Sequence, residues 1–210
     1  NAGTIKGFRK SIDDGDTWED ISPTLPDTYG RIIVQAAPSD GNTVYFFIEG
    51  VSGSNNTPNT HNHQLWRSAN AGTDWTNISS VIPSSTAPAL DNFSTQDGYD
   101  MLLSVKPNDP NFIIVGGVSI FKIHDVTNDV MTLAQKHIGG YGIAANGTAN
   151  ALGDYINHHP DSHIGVFKPG SNVIYYTGND GGVALTNDIT SPAGAAFWQN
   201  PLRSGLNITQ

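Results

Sequence analysis

Pairs of apolar runs, separated by short polar turns, dominate the hydrophobic pattern of this chain. Three such pairs occur, at residues 31–38 and 43–48, 101–107 and 112–117, and 163–169 and 173–178. The first run of each pair ends at a proline, and β-branched and aromatic residues are frequent in both runs. Runs of this length and composition are typical of β-strands. The pattern predicts three hairpins whose strands are buried on both faces, as in stacked sheets.

A second pattern, a serine followed by a polar turn and a tryptophan, occurs twice. Residues 11–18 read Ser-Ile-Asp-Asp-Gly-Asp-Thr-Trp, and residues 68–75 read Ser-Ala-Asn-Ala-Gly-Thr-Asp-Trp. In such a turn Ser and Asp side chains accept bonds from backbone amides, the Gly takes a positive φ, and the Trp ring packs under the adjoining strand. We therefore assign structural roles to Ser11, Asp13, Gly15, Thr17, Trp18, Ser68, Asn70, Gly72 and Trp75.

These two turns resemble the Asp box, or bacterial neuraminidase repeat, of sialidases, xyloglucanase-like glycosidases and sortilin-type domains. Residues 11–18 match the box at every position, whereas residues 68–75 depart from it at Asn70 and Asp74. Residues 186–198 resemble a weaker third copy. The resemblance implies an all-β fold, a β-propeller of four-stranded antiparallel blades joined through Asp-box turns.

Two further stretches resemble the sortilin/xyloglucanase-like propellers of secreted bacterial proteins. They are residues 158–188 and residues 205–210, of which the latter resembles the start of a blade. The predicted blade pieces are residues 1–27, 28–97, 98–157 and 158–204, with the next blade starting at 205–210. Because so few pieces do not close a ring in this family, the chain is predicted to be a fragment of an incomplete ring. Further blades of the same protein or a partner chain are expected to complete it.

Three long polar insertions separate the predicted strands, at residues 50–63, 82–96 and 139–155. They are too rich in Gly, Asn and Ser for helices, so they are predicted to be surface loops that carry recognition.

The charge balance restricts the partners. The chain has 10 Lys+Arg against 19 Asp+Glu, a formal net charge of −9. Nucleic acids and anionic membranes require a clustered positive surface, which argues against both. No apolar run approaches the roughly 18 residues of a membrane span, so no membrane insertion is expected. The resemblance implies a secreted or cell-surface location, with any leader outside the sequence given.

A histidine-rich stretch, His-His-Pro-Asp-Ser-His at residues 158–163, is a candidate binding site. Strand alternation would place His159, Asp161 and His163 on one side, with the outer two roughly 13 Å apart, which is too far for one metal ion. A metal would need a bend at Pro160 or a ligand from another blade. Otherwise these residues form hydrogen bonds or contact a ligand. No cofactor is expected except, as an alternative, a structural calcium ion held by Asp- and Asn-rich turns.

Three aspartates are candidate acid/base residues. Asp180 lies in a predicted tight turn, where its carboxylate could simply accept hydrogen bonds from turn amides. The alternative is that Asp180 forms an acid/base pair with Asp161 or Asp100 across the central channel of the predicted propeller. Glycosidases use two carboxylates at roughly 5–9.5 Å, a separation that a sequence does not reveal.

Arg31 and Asp100 occupy matching places, each seven residues before the proline of its hairpin. Both are expected to point toward the channel mouth, where Tyr99 also lies. A salt bridge between two blades explains this placement, and so does contact with an anion or a sugar. Both explanations remain open at this point.

Two functions are compatible with these features. The leading hypothesis is a non-catalytic propeller segment of a larger secreted or cell-surface protein that binds a glycan or a protein or serves as a scaffold. The alternative is part of a xyloglucanase-like glycoside hydrolase that uses two aspartates. Carboxylates facing each other beside exposed aromatic residues would favour the enzyme. Asp161 and Asp180 bonded to backbone amides would favour the scaffold.

A complete sialidase is excluded, because its substrate carboxylate requires an arginine cluster. The chain has only Arg9, Arg31, Arg67 and Arg203. Arg9 and Arg67 precede the turn serines, which places them on outer strands away from the channel.

Overall fold

The computed structural model describes residues 7–25, 29–50, 63–83, 93–143, 149–192 and 197–199. These residues form an all-β structure of several antiparallel sheets. The described helical elements are one helix, α1 (Leu133–Lys136), and a 3₁₀ turn (Ser79–Val81). Neither of these helical elements is long and apolar enough to span a membrane. The predicted fold class is therefore confirmed as all-β and antiparallel.

The first two sheets contain six strands. A two-stranded sheet pairs β1 (Arg9–Lys10) with β2 (Glu19–Asp20). A four-stranded sheet follows the chain in the order β3 (Tyr29–Ala37), β4 (Asp40–Gly50), β5 (Gln64–Ser68) and β6 (Thr76–Asn77). In the first predicted hairpin Val34 lies opposite Phe46.

The remaining sheets contain nine strands. The second four-stranded sheet consists of β7 (Leu102–Lys106), β8 (Asp109–Gly116), β9 (Ile120–Ile123) and β10 (His137–Gly139). A two-stranded sheet pairs β11 (Tyr141–Ile143) with β12 (Ala149–Asp154). The last sheet consists of β13 (Ser162–Phe167), β14 (Tyr175–Asn179) and β15 (Gly182–Thr186). All three predicted hairpins are thus present.

The middle sheet, β7 to β10, is buried on both faces. Because successive side chains of a strand point to opposite faces, Leu103 and Ile113 contribute to the core shared with sheet β3–β6, together with Tyr45. Leu102 and Ile114 contribute to the core on the opposite face. Each fully buried aliphatic side chain stabilises the fold by about 1.5–3 kcal/mol. The continuous apolar runs of this sheet therefore reflect burial on both of its faces, as predicted.

One backbone hydrogen bond recurs in three sheets. In each sheet, the residue four positions after the hairpin proline accepts a hydrogen bond at its backbone carbonyl. The donor is the backbone amide of a residue that directly follows an Asn or Asp. The three bonds are Ala71 N to Asn42 O (2.8 Å), Val126 N to Asn111 O (3.1 Å) and Ile189 N to Val173 O (2.9 Å). The three prolines, Pro38, Pro107 and Pro169, line one cavity of about 450 Å³. Strand β7 lies beside both β3 and β13, so the first strands of the three sheets are neighbours.

The prediction of a loop at residues 139–155 is wrong. The segment forms a hairpin in which Tyr141 pairs with Asp154 and Ile143 with Ala149. Pairing satisfies backbone groups that a loop would leave to water, and it outweighs the loop-like composition of the segment. The other two predicted loops lie largely outside the described residues, at 51–62 and 84–92.

Candidate functional site

The first turn, residues 11–18, is closed by its own side chains. The Ser11 hydroxyl accepts a bond from the Gly15 amide at 2.8 Å and donates one to Asp13 Oδ1 at 2.8 Å. Asp13 Oδ1 also accepts from the Thr17 amide at 2.9 Å. These bonds lower the pKa of Asp13, because the Thr17 hydroxyl and amide stabilise the carboxylate. The Asp13 carboxylate is therefore fully engaged within the turn.

The second turn, residues 68–75, has the same construction. Ser68 Oγ accepts from the Gly72 amide at 2.8 Å, and Asn70 Oδ1 accepts from the Asp74 amide at 2.9 Å. The backbone angles also agree, since Asp14 and Ala71 both have a φ of 55° and each precedes a glycine of positive φ. The two turns are thus structurally equivalent despite the Asn70 and Asp74 departures.

The tryptophans of the two turns differ. The prediction that the ring packs under a strand is wrong for Trp18, which is 60% exposed and whose Nε1 donates to Gly15 O at 2.9 Å. Trp75 packs its ring edge against Phe8 and Phe46, with centroids 5.2 and 5.0 Å away. Trp75 is covered because Phe46 of β4 and Phe8, just before β1, reach its ring.

Four of the residues singled out from the sequence come together as an acidic cluster, defined as Asp100, Asp161, His163 and Asp180. The His163 ring lies between two carboxylates, with Nδ1 3.3 Å from Asp100 Oδ1 and Nε2 2.6 Å from Asp180 Oδ1. Asp161 lies against Asp100, within hydrogen-bond reach. The cluster therefore joins three carboxylates around one imidazole.

Two neighbouring sheets position the acidic cluster. Asp100 directly precedes the β7 sheet, and its amide donates to Thr95 O at 2.9 Å. Asp161 directly precedes β13, and His163 is the second residue of that strand. The Asp161 and Ser162 amides donate to the turn between β8 and β9, at 3.0 Å each. Asp180 lies in the turn between β14 and β15. The junction of the sheets, rather than one strand, creates the site.

Asp100 has an unusual environment for a carboxyl group. Its side chain is completely buried, and neither carboxylate oxygen has a hydrogen bond from a donor in the described part of the chain. Burial, followed by the negative charge of Asp161, raises the pKa of Asp100 to about 7. Asp100 therefore loses its proton at a higher pH than an ordinary aspartate, and it lies against Asp161.

Asp161 and Asp180 are the partly exposed carboxylates of the acidic cluster. Asp161 Oδ1 accepts from Gln96 Nε2 at 2.7 Å, while burial and the charge of Asp180 raise the pKa of Asp161. Of the two alternatives left open for Asp180, acceptance of turn amides is not found among the described contacts, and Asn179 Oδ1 accepts the Gly181 amide at 3.1 Å. Within the described ranges, no backbone amide bonds to the side chain of Asp161 or Asp180.

Strained backbone concentrates around the acidic cluster. Apart from the two turn residues Asp14 and Ala71, the described non-glycine residues of positive φ are Phe93 (56°), Gln96 (46°), Asp97 (56°), Asn157 (61°) and Asp161 (63°). All five lie in the two segments that lead to Asp100 and to β13. A left-handed residue other than glycine costs about 1–2 kcal/mol, and such strain is typical of functional sites.

Arg31 and Tyr99, two candidate residues beside the acidic cluster, have different contacts. Arg31 Nη1 donates to the carbonyls of Gly98 (3.1 Å) and Tyr99 (3.3 Å). The predicted salt bridge between Arg31 and Asp100 is absent from the described contacts. Tyr99 is 59% exposed, and its ring meets that of His163 edge-on with centroids 5.1 Å apart. Tyr99 therefore forms an exposed aromatic wall beside the acidic cluster.

The predicted alternation of His159, Asp161 and His163 is wrong. Strand β13 begins only at Ser162, and the left-handed backbone of Asp161 interrupts the alternation. The ring of His159 instead lies 3.0 Å from its neighbour's carbonyl, Pro160 O. Across the residues that the structure describes, no three His, Asp or Glu side chains have the geometry to hold a metal ion.

Sequence reasoning did not find Gln96. This residue lies at the end of a predicted polar loop, and nothing in the local pattern distinguishes it from other polar residues there. Its role depends on a contact with Asp161, 65 residues further along the chain.

Comparisons with known proteins give no functional lead. No family model matches this chain, and the search of curated proteins finds no match. Functional inference therefore depends on the geometry of the acidic cluster and its surroundings.

Proposed function

We propose that this chain is a β-propeller segment of a larger secreted or cell-surface protein, and that it binds a glycan at the acidic cluster. Three observations support the radial arrangement of blades. They are the recurrent backbone bond, the contact of β7 with both β3 and β13, and the cavity lined by the three hairpin prolines. In a propeller the first strand of each blade faces the central channel, which brings equivalent residues of successive blades together.

The last sheet supports the expectation of further blades. On its outward face Ile164 and Val166 are 58% and 47% exposed, whereas the middle sheet is covered on both faces. In this proposal another blade of the same protein or of a partner chain covers that face. We expect the double variant Ile164→Ser/Val166→Ser to reduce self-association of the isolated chain in sedimentation velocity. Unchanged self-association would argue against this part of the proposal.

The observation that carries the ligand-binding proposal is the placement of partly exposed carboxylates on strained segments beside Tyr99. Carboxylates accept hydrogen bonds from sugar hydroxyls, and an aromatic face stacks on the apolar side of a pyranose ring. Asp161 and Asp180 keep free acceptor capacity for a ligand, since no backbone amide bonds to their side chains in the described ranges. This arrangement favours recognition over a purely structural role.

Binding to a panel of immobilised glycans tests the proposal. We expect Tyr99→Ala and Asp180→Asn each to weaken binding by about tenfold, or about 1.4 kcal/mol. Asp16→Asn is the matched control, because Asp16 is an exposed carboxylate of the first turn, away from the acidic cluster. Absence of binding to every glycan, or equal losses in the control, would contradict the proposal.

A glycoside hydrolase that uses two aspartates is the second candidate function. It is favoured by the raised pKa of Asp161, which lies next to the partly exposed Asp180. Glycosidases require one carboxyl that stays protonated and a second that is ionised. In this alternative Asp161 is the acid and Asp180 the base or nucleophile. Release of reducing sugar from β-glucan oligosaccharides, abolished in both Asp161→Asn and Asp180→Asn, would support the enzyme. Binding without hydrolysis would favour the leading proposal.

A further inference from the structure

We propose that the acidic cluster recognises a protonated primary amine, so that its ligand is a glycan with unacetylated amino sugars. This inference rests on the proposed glycan binding and names the class of sugar. It starts from the charge of the site, where three carboxylates surround one imidazole. Within the described residues, no Lys or Arg side chain forms an ion pair with these carboxylates, and Arg31 is bonded to backbone carbonyls. His163 is the one imidazole among these three carboxylates, so the described arrangement has more acidic than basic groups.

The second, independent observation is Asp100. Buried carboxyl oxygens normally have hydrogen-bond donors, and exceptions require an explanation. Both oxygens of Asp100 are buried without a hydrogen bond from any described donor, although the side chain points at Asp161 and His163. A cationic ligand at Asp161 and Asp180 would lower the electrostatic cost of ionising this carboxyl group. The ligand would not need to touch Asp100 itself.

An ammonium group fits the site better than a metal ion. A calcium ion requires several oxygens at about 2.3–2.6 Å from one point, and the described residues provide no such group. An ammonium nitrogen binds carboxylates at about 2.7–2.9 Å and tolerates a wider arrangement, because its three donors point in different directions.

Tyr99 adds an aromatic wall to this cation site. Its ring is 59% exposed and contacts His163 edge-on, 5.1 Å between centroids. An aromatic face attracts an ammonium group electrostatically and stacks on the sugar that carries it. The anionic character of the whole chain, with a net charge of −9, also favours a cationic ligand.

Calorimetric titration with two oligosaccharides of equal length tests the inference. One is a glucosamine oligomer with free amines, and the other is its fully N-acetylated form. At about pH 6, where the amines are largely protonated, we expect the free amine oligomer to bind at least about tenfold more tightly. Its binding should also release protons, measured by repeating the titration in buffers of different ionisation enthalpy. Asp180→Asn should remove most of this preference, whereas the control Asp16→Asn should keep it.

The outcomes separate the inference from the proposed function. Equal binding of both oligomers would overturn amine recognition but leave glycan binding intact. Binding of tetralysine without either oligomer would overturn the amino-sugar ligand, and the glycan panel would test glycan binding independently. Binding of none of the three would overturn amine recognition, and the glycan panel then decides the proposed glycan binding separately. A preference that Asp180→Asn leaves unchanged would place the amine elsewhere and overturn the inference.

Discussion

Two buried or half-buried aspartates, Asp13 in the first turn and Asp100 in the acidic cluster, have opposite environments. Asp13 accepts bonds from Ser11 and Thr17, and these bonds lower its pKa. Asp100 has no hydrogen bond from a described donor, and burial raises its pKa to about 7. The same type of side chain is thus stabilised as an anion in the first turn and as a neutral acid in the acidic cluster.

The comparison distinguishes a structural carboxylate from a candidate functional one. A turn aspartate whose oxygens are satisfied locally has little capacity left for a ligand. A carboxyl group kept protonated by burial and by a neighbouring carboxylate is typical of binding and catalytic sites. The aspartates of the turns therefore explain stability, while those of the acidic cluster carry the functional proposals.

The largest effect is expected from pH. The pKa of Asp100 is raised above its unfolded value of 3.8, so its stabilising contribution is complete below about pH 4 and is lost as pH rises through about 7. A shift of this size corresponds to about 4 kcal/mol. Relative to the wild type, we expect Asp100→Asn to gain about that much unfolding free energy between about pH 4 and pH 8. Urea unfolding followed by tryptophan fluorescence measures the difference.

Asp13→Asn provides the matched comparison with the opposite sign. Because its folded pKa is lowered, Asp13 contributes stability above its ordinary pKa and loses it as pH falls below about 4. The two variants should therefore differ from wild type in opposite pH ranges. Parallel pH profiles for both variants would contradict the distinction between the two environments.

Removal of the serine from the second turn should have the next largest effect. The Ser68 side chain is buried and accepts the buried Gly72 amide at 2.8 Å. Ser68→Ala leaves this amide without its partner, which typically costs about 1–3 kcal/mol. Chemical denaturation measures the loss, and Ser39→Ala, at an exposed hairpin turn, should change stability by less than about 0.5 kcal/mol. A loss no larger than that of the control would refute the bonding role of Ser68.

A smaller effect distinguishes the two turns from each other. Asn70→Asp restores the aspartate found in the first turn, but Asn70 Nδ2 donates to Asp74 Oδ2 at 2.9 Å. The substitution replaces this bond with like-charge repulsion, so we expect a loss of about 0.5–1 kcal/mol. Adding Asp74→Thr should reverse the loss, since Thr17 bonds Asp13 in the first turn. A double-mutant cycle measures the coupling, and additive effects would contradict the proposed pairing.

The smallest effect on stability is expected from Gln96→Leu. This variant removes the Gln96 bond to Asp161 and should raise the pKa of Asp161 further, because that bond stabilises the carboxylate. The change in unfolding free energy should stay within about 0.5 kcal/mol, because Gln96 is exposed. Carboxyl carbon chemical shifts in an NMR titration report the pKa directly. An unchanged titration of Asp161 would show that Gln96 does not position it.

The sequence predicted the elements that depend on local spacing. The three hairpins follow from apolar runs ending at Pro38, Pro107 and Pro169, and the two turns follow from serine, glycine and tryptophan at fixed intervals. Predictions from local sequence were wrong where tertiary packing or strand pairing decides the outcome. Trp18 is exposed although its pattern predicts packing, and the glycine-rich segment at 139–155 forms a hairpin.

Only the tertiary structure decided the character of the acidic cluster. Asp100, Asp161 and Asp180 are far apart in sequence, and the contact between the β7 and β13 sheets brings them to one imidazole. Their protonation depends on burial and on the distances between charges, which no spacing along the chain encodes. The hairpins and turns follow from local sequence, whereas the meeting of three carboxylates at one imidazole requires sheets that pack at one junction.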